Sequence, residues 1–370
     1  MGSPIGVAVV GAGYWGTKLI REYLAAQSKG IVRLARVCDS SMAALLAGKE
    51  EFPIFNDLLT EKVQDLIEDP SISAVHIATP NHTHFNLARM VLEGGKDVLI
   101  EKPMTLNSRD AFELVDLALS SERVLHVGHI FRYNNALRIA RQIMRRKAIG
   151  KIRYGRVQWT DYAPIFPDRD IIFDLGPHLV DALNQLLEAW PTQVSGFARA
   201  YRNSKEHPEV AYGITEFADG VFAHVEMSWL HPGKVREVTV IGSEGKLLVD
   251  CIAQRVFKSD LEKSEEIPVL ANNTIEAEIE HFVDRVAKRS ISSESGLIGA
   301  RTVEALEKMR ASMWERPLPI IEEVAGGAIK GSTTVGHLGG IQMPQESVGA
   351  APVPPAERDN RMGMLDSKSG

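Results

Sequence analysis

The chain has 370 residues, 44% of them hydrophobic and 24% charged, with a formal net charge of −6 at pH 7. These are globular values that allow a sizeable core, and the length suggests about two to three domains. The charge offers no electrostatic case for a nucleic-acid partner, and the basic cluster from Arg141 to Lys147 reads as a solvated helix face. Cys38 and Cys251 are too few and too far apart for a disulfide framework or a CxxC metal site, which fits a reducing compartment. No run approaches eighteen apolar residues, and the N-terminus enters a strand pattern with no signal-peptide layout. The expectation is a soluble, cytoplasmic protein with no membrane partner.

Val7-Ala8-Val9-Val10 reads as a buried strand, followed at once by Gly11-Ala12-Gly13-Tyr14-Trp15-Gly16 and a helical pattern through Leu19, Ile20, Tyr23 and Leu24. In a strand–GxGxxG–helix unit the first glycine makes the turn and the second lets a pyrophosphate approach the backbone. The third lets helix and strand pack closely, and the helix N-terminus offers N–H groups to the phosphates. A second strand, 32–37, ends at Asp39, 26 residues after Gly13. A carboxylate there suits a ribose 2′-hydroxyl and favours NAD over NADP, while Ser40 and Ser41 leave NADP open. The alternative reading of Asp39 is the N-cap of the following helix, and one residue could serve both roles.

Strand and helix go on alternating: a helix over 56–67, a strand over 74–78 and a helix over 83–92. A strand over 97–100, a helix over 108–119 and a strand over 124–127 follow. Alternation of this kind predicts a parallel, doubly wound sheet, a Rossmann architecture. Two of its strand ends are polar, at Thr79-Pro80-Asn81-His82-Thr83-His84 and at Glu101-Lys102-Pro103. The carboxyl ends of such strands are where open α/β sheets bind ligands, so Lys102 is either a substrate lysine or a surface one. His82 and His84 have no carboxylate or cysteine at ligand spacing, and no metal is expected.

A basic helix over 138–149 opens a second region. Strands over 152–159, 194–201, 210–217, 221–229, 235–241 and 247–251 then follow with almost no helix between them. That order predicts an α+β domain on a large open antiparallel sheet, closed by helices over 274–288 and 296–313. The division is therefore 1–128 for the dinucleotide-binding domain, 129–325 for the α+β domain, to which the family resemblance given below assigns substrate binding and oligomerisation, and 326–370 for a disordered tail rich in Gly, Ser, Thr and Pro. Inside the second region one helix carries Asp174, His178 and Asp181 at i, i+4 and i+7, on one side. Pro177 is tolerated in a first turn, which sets Asp174 at or just before the helix start. The trio reads as a poised imidazole, or as a capping aspartate with a histidine satisfied by Asp181.

Taken together, these motifs resemble the glucose-fructose oxidoreductase / inositol dehydrogenase / MocA family of NAD(P)-dependent oxidoreductases. The resemblance rests on Gly11-Ala12-Gly13-Tyr14-Trp15-Gly16, Ala78-Thr79-Pro80-Asn81-His82, Glu101-Lys102-Pro103 and the Asp174–Asp181 run, and spans about residues 4–320. It implies a cofactor site at Gly11, Gly13, Tyr14, Trp15, Gly16, Asp39, Thr79, Pro80, Asn81, His82, Glu101 and Lys102. It also implies catalytic Lys102, Asp174 and His178, with Asp181 beside the substrate, a homodimer or homotetramer, and a Lys102–Pro103 peptide that is often cis. Ala163-Pro164-Ile165 and Ser228 to Arg236 look like a branch that oxidises sugars and nucleotide sugars, commonly at C3. On this reading His178 is the general base, Lys102 stabilises the developing alkoxide, and Asp174 orients them. The alternatives are a cyclitol dehydrogenase, an oxidoreductase that recycles a tightly held cofactor, and a cofactor-binding regulator without activity.

Overall fold

The computed structural model describes residues 4–51, 58–166, 168–202 and 207–313. The first half alternates strand and helix: β1 (Ile5–Val10), α1 (Tyr14–Ser28), β2 (Val32–Cys38), α2 (Met42–Glu51), β3 (Leu59–Thr60) and α3 (Val63–Glu68). It continues through β4 (Ala74–Ile77), α4 (His84–Glu93), β5 (Asp97–Glu101), α5 (Ser108–Ser120) and β6 (Leu125–Gly128). All six strands pair in parallel in the order β3-β2-β1-β4-β5-β6. Val7, Ala8 and Val9 are fully buried, as an unbroken apolar strand must be when helices cover both faces of its sheet. The strand order reverses between β1 and β4, so the loops after them open a crevice at the carboxyl edge.

The second half adds α6 (Asn135–Arg145), β7 (Ile152–Tyr162), α7 (Ile171–Leu187), β8 (Gln193–Arg199), β9 (Val210–Glu216), β10 (Phe222–Ser228) and β11 (Leu230–Gly242). Three short strands, β12 (Lys246–Asp250), β13 (Arg255–Ser259) and β14 (Ser264–Ile267), precede α8 (Thr274–Ala287) and α9 (Glu294–Met313). The eight strands run in the order β14-β13-β12-β11-β7-β10-β9-β8, antiparallel throughout except for the parallel pair β7–β10. Period-two alternation sets its faces. Val157, Trp159, Val225 and Met227 turn inward and are fully buried against α7 and α9, whereas Tyr154, Ile214 and Phe222 are exposed on the open face.

Several expectations are corrected. The helix expected over 56–67 begins only at Val63; Leu59 and Thr60 instead extend the edge of β2, and positions 56 and 57 lie outside the described residues. The helix expected over 138–149 starts at Asn135, because the Asn134 side chain accepts from Leu137 N, and ends at Arg145 before Lys147 turns to φ +54°. β13 and β14 break the hydrophobic alternation and escape a pattern reading. Their pairing is flanked by the double Arg255–Glu266 contact at 2.8 and 2.7 Å, on a charged sheet edge. Asp174 does not start its helix. Asp170 does, accepting from Ile172 N and Phe173 N at 3.0 Å each, so Pro177 sits in the second turn and simply deprives the Phe173 carbonyl of its helical donor. The tail over 326–370 lies outside the described residues.

Candidate active site

The loop after β1 is shaped by close backbone approach. Gly11 has φ +106°, and a Cβ there would lie 2.4 Å from the Ala78 carbonyl oxygen; at Gly16 a Cβ would lie 1.9 Å from the Gly11 carbonyl oxygen. Only glycine lets the β1 and β4 loops and the start of α1 converge in this way. A cavity of about 980 Å³ opens along these loops. It is lined at one end by Asp39, Ser40 and Glu61, along its length by Gly11, Gly13, Tyr14, Trp15, Thr79, Pro80, Asn81 and His82, and at the other end by Glu101, Lys102, Arg169, Asp174 and His178. Gly16 is not in the wall, because its role is spent on packing α1 against the loop. Asp181 is not in the wall either. It is 1% exposed, one turn beyond His178, and pairs with Arg132 at 2.5 Å.

Asp39 turns out to be no helix cap. Its Oδ2 accepts from Ala12 N at 2.7 Å and its Oδ1 from Ser41 N at 2.9 Å, and the Ser41 hydroxyl takes the capping position by accepting from Ala44 N. The carboxylate thus braces the glycine loop and still has lone pairs facing the cavity. The two polar strand ends are tied together by His84, whose Nδ1 meets the Pro103 carbonyl and whose Nε2 meets the Thr79 carbonyl, each at 2.9 Å. Burial pushes its proton affinity down even though both carbonyls favour the charged ring. The Lys102–Pro103 peptide between these motifs is cis.

At the inner end, Lys102 Nζ donates to the Asp174 carbonyl oxygen at 2.9 Å and lies 3.6 Å from Asp174 Oδ1. Asp174 also accepts from Trp229 Nε1 at 3.1 Å and lies 3.7 Å from Arg169. His178 stands one turn further along α7, with Phe131 edge-on to its ring at 5.0 Å; among the described residues neither of its nitrogens is bonded to protein. Burial first, then the charges of Lys102 and Arg236, push its proton affinity well below that of an ordinary histidine. The structure therefore brings Lys102, Asp174 and His178 to one wall, with Asp174 bonded to the lysine and not to the histidine. Arg169 and Trp229 were not anticipated from the sequence. The Asp168-Arg169-Asp170 alternation just before a helix was the available signal for the arginine. Trp229, at the end of an apolar strand, looks like any core aromatic until its indole N–H is placed.

A dinucleotide fits this cavity on three grounds. A Cβ at Gly13 would meet nothing within 4 Å, so the backbone stands open to a ligand. No side chain caps the start of α1 and no acid lies in its first turn, leaving its N–H groups for a phosphate. Asn81 Nδ2, in the wall, is buried with no partner among the described residues.

The family model for the oxidoreductase family with an NAD-binding Rossmann fold matches residues 5–129, and the model for the GFO/IDH/MocA C-terminal domain matches residues 137–248. The chain is 27% identical over 321 residues to UDP-N-acetylglucosamine 3-dehydrogenase of Acidithiobacillus ferrooxidans, covering 82% of this chain and 96% of that protein. It is 28% identical over 243 residues to scyllo-inositol 2-dehydrogenase (NAD(+)) of Bacillus subtilis, covering 61% and 71%. A solved structure of the Acidithiobacillus enzyme superposes with a TM-score of 0.72 at 26% identity, over 84% of this chain and 97% of that one. Levoglucosan dehydrogenase in complex with NADH and levoglucosan, at 19% identity and a TM-score of 0.72, shares the fold. Rossmann sheet, open second sheet and glycine-loop cavity agree with these matches: the chain belongs to the GFO/IDH/MocA family and is an NAD(P)-dependent oxidoreductase acting on CH–OH groups.

Proposed function

We propose that the protein moves a hydride between a nicotinamide cofactor and a secondary alcohol of a sugar or nucleotide sugar, with C3 of a UDP-N-acetylhexosamine as the leading candidate. The observation that carries this reading is the wall formed by Lys102, Asp174 and His178 at the inner end of the cavity, beyond the glycine loop. The cofactor, when bound, supplies the hydride acceptor. His178 takes the hydroxyl proton on a ring nitrogen, since its lowered proton affinity leaves it a free base at neutral pH. Lys102 donates a hydrogen bond to the same substrate oxygen as negative charge develops there, and Asp174 fixes the lysine from both its carbonyl and its carboxylate. Asp181 acts at one remove, through Arg132.

Coverage of 96% of the Acidithiobacillus enzyme supports the nucleotide-sugar reading; the Bacillus inositol dehydrogenase, at similar identity, supports a cyclitol as the second. Asp39 and Glu61 together at the far end of the cavity favour NAD, because two carboxylates there repel a 2′-phosphate. The open face of the second sheet, with Tyr154 stacked on Phe222 at 5.6 Å, is the surface on which a homodimer or homotetramer would form.

The test is a screen of UDP- and dTDP-sugars, free sugars and inositols with NAD⁺ or NADP⁺, followed by NAD(P)H absorbance. Absorbance of the purified protein before any addition shows whether cofactor is retained. Turnover of a UDP-N-acetylhexosamine with NAD⁺ is expected. Turnover confined to inositols moves the reading to a cyclitol, and no turnover of any hydroxyl compound sinks it.

A further inference from the structure

One cation at the inner end of the cavity is held ready to bond, and the reaction above does not use it. Arg169, in the stretch between β7 and α7, donates from Nε and Nη2 to the two carboxylate oxygens of Asp168, at 3.1 Å each. Its guanidinium lies 4.9 Å over the ring of Phe166, and that ring stands edge-on to Trp229 at 5.3 Å. Trp229 in turn holds Asp174 through its indole N–H. Two hydrogen bonds and one ring thus fix the guanidinium in plane and position, so little side-chain freedom is left to lose on binding. Nη1 is different. Among the described residues it donates no hydrogen bond, and it lies 3.7 Å from Asp174 Oδ1, beyond hydrogen-bond reach. The arginine side chain is 28% exposed and lines the cavity, as Asp174 does.

The same carboxylate oxygen is 3.6 Å from Lys102 Nζ. Nζ and Nη1 therefore flank one atom, and two substrate oxygens that take these donors must be near neighbours. In a sugar ring they are the oxygen at the reacting carbon and one on the substituent of the carbon beside it. A guanidinium only donates, so that substituent must present an acceptor. The charge of Arg169 is already met by Asp168 and Asp174, and Glu101 lines the cavity beside Lys102. This end therefore holds no surplus of positive charge for a carboxylate or phosphate, and a neutral carbonyl oxygen is the acceptor that suits it. An acetamido group supplies one, and its methyl suits the apolar ring of Phe166, which lines the cavity beneath the guanidinium.

Resting on the nucleotide-sugar reading, we infer that Arg169 is the specificity-determining residue for an acetamido group on the carbon next to the one oxidised. With C3 as the reacting carbon, that group is the 2-acetamido substituent of a UDP-N-acetylhexosamine. Nη1 donates to the acetamido oxygen while Lys102 donates to the C3 oxygen, and the two contacts together set which hydroxyl faces His178. Asp168 is not in the cavity wall; it is a positioning residue that acts through its fork with Arg169. An unsubstituted hexose or a cyclitol offers only a hydroxyl at that place, a weaker acceptor for the same donor.

The experiment compares UDP-N-acetylglucosamine, UDP-glucose and UDP-glucuronic acid as substrates of the full chain with NAD⁺, by steady-state NADH absorbance. In R169Q, kcat/KM for UDP-N-acetylglucosamine should fall by roughly 10–100-fold, mostly through KM. The fall for UDP-glucose should be smaller, so that the preference between the two drops by about tenfold or more. R169K, which keeps the charge without the fork, should recover part of the loss. D168N should lose preference in the same direction by roughly threefold to tenfold, since the guanidinium is then free to turn. NADH affinity, read by fluorescence titration, should stay unchanged in all three. An equal loss on both sugars in folded R169Q, or an unchanged preference, overturns the inference and leaves the dehydrogenase reading standing. A loss largest for UDP-glucuronic acid also overturns it, and makes Arg169 an anion site. A wild type that oxidises inositols and no nucleotide sugar is the separate failure of the underlying reading, and it removes the acetamido assignment with it.

Discussion

Lys102 is held by two contacts of different kinds, a hydrogen bond to a helix carbonyl and an ion pair to the carboxylate of the same residue. The carbonyl contact aims the ammonium, and the carboxylate balances its charge without burying the pair from a substrate. Lys102→Met therefore removes the donor to the developing alkoxide while leaving the glycine loop intact. Its kcat/KM should fall by roughly 10²–10³-fold with cofactor affinity nearly unchanged, as read by steady-state kinetics beside a fluorescence titration with NADH. His178 predicts a pH profile. Its folded-state proton affinity is lowered, so the free base persists below the ordinary histidine range, and the acid limb of kcat/KM should lie below that range in the wild type. An acid limb at or above it would give the base role to another group. Asp39→Asn should raise NADP use relative to NAD by roughly tenfold. At this scale the sequence was legible where one backbone motif fixes a residue, as at Gly11 and Lys102. It was silent where a partner comes from far along the chain, as Trp229 does for Asp174.

The element that matters most is α7, since it carries both Asp174 and His178. Its start is set by Asp170, which caps two N–H groups and pairs with Arg310 on α9 at 3.1 Å. Asp170→Ala should cost about 1–2 kcal/mol in denaturant unfolding and lower kcat more than it raises KM, because the first turn that presents the Asp174 carbonyl frays. Full stability in that variant would mean that α9 alone holds the turn. A rule about proline and first turns placed this helix start four residues late. Residues at the end of a loop carry their cap in a side-chain bond that spacing does not reveal, and a buried helix tolerates one lost backbone bond when packing on every side supports it. Ile171, Ile172 and Leu179 are all fully buried.

At the scale of the whole molecule, the last two helices join the two sheets. Ile279 and Phe282 of α8 pack in a core with β1, and Ala300 and Val303 of α9 pack with β6, while Leu306 and Met309 of α9 belong to the core under the second sheet. The alternation along the chain announced both sheets, yet the division at 128 assigns to the second domain helices whose apolar faces rest on the first. A stripe of apolar residues says that a helix is covered and not by what. Burial of histidine also has a global consequence. His84, His126, His129 and His178 all have lowered proton affinities, so between their folded values and the ordinary one the unfolded chain binds more protons. Stability then rises with pH through that window and is lost as pH falls through it. Glu278 has the opposite sign: its raised folded value costs stability as pH climbs above the ordinary glutamate range, so E278Q should gain on the wild type toward alkaline pH. Urea unfolding between about pH 5 and pH 8 reads both slopes.

The parallel pair β7–β10 carries one more consequence, for the nascent chain. β7 lies between β10 and β11, and both of its neighbours are encoded after it. A ribosome-bound chain that ends before residue 222 therefore exposes both edges of an apolar strand that holds Val157 and Trp159, with nothing of its own to zip against. α7, by contrast, closes on local bonds as soon as it is synthesised. His178 is thus made early on a helix without a floor, and it meets Lys102 across a finished wall only when the distant strands arrive. In such a chain, chaperone demand should be concentrated between the emergence of residue 162 and that of residue 242, long after the glycine loop has found its sheet.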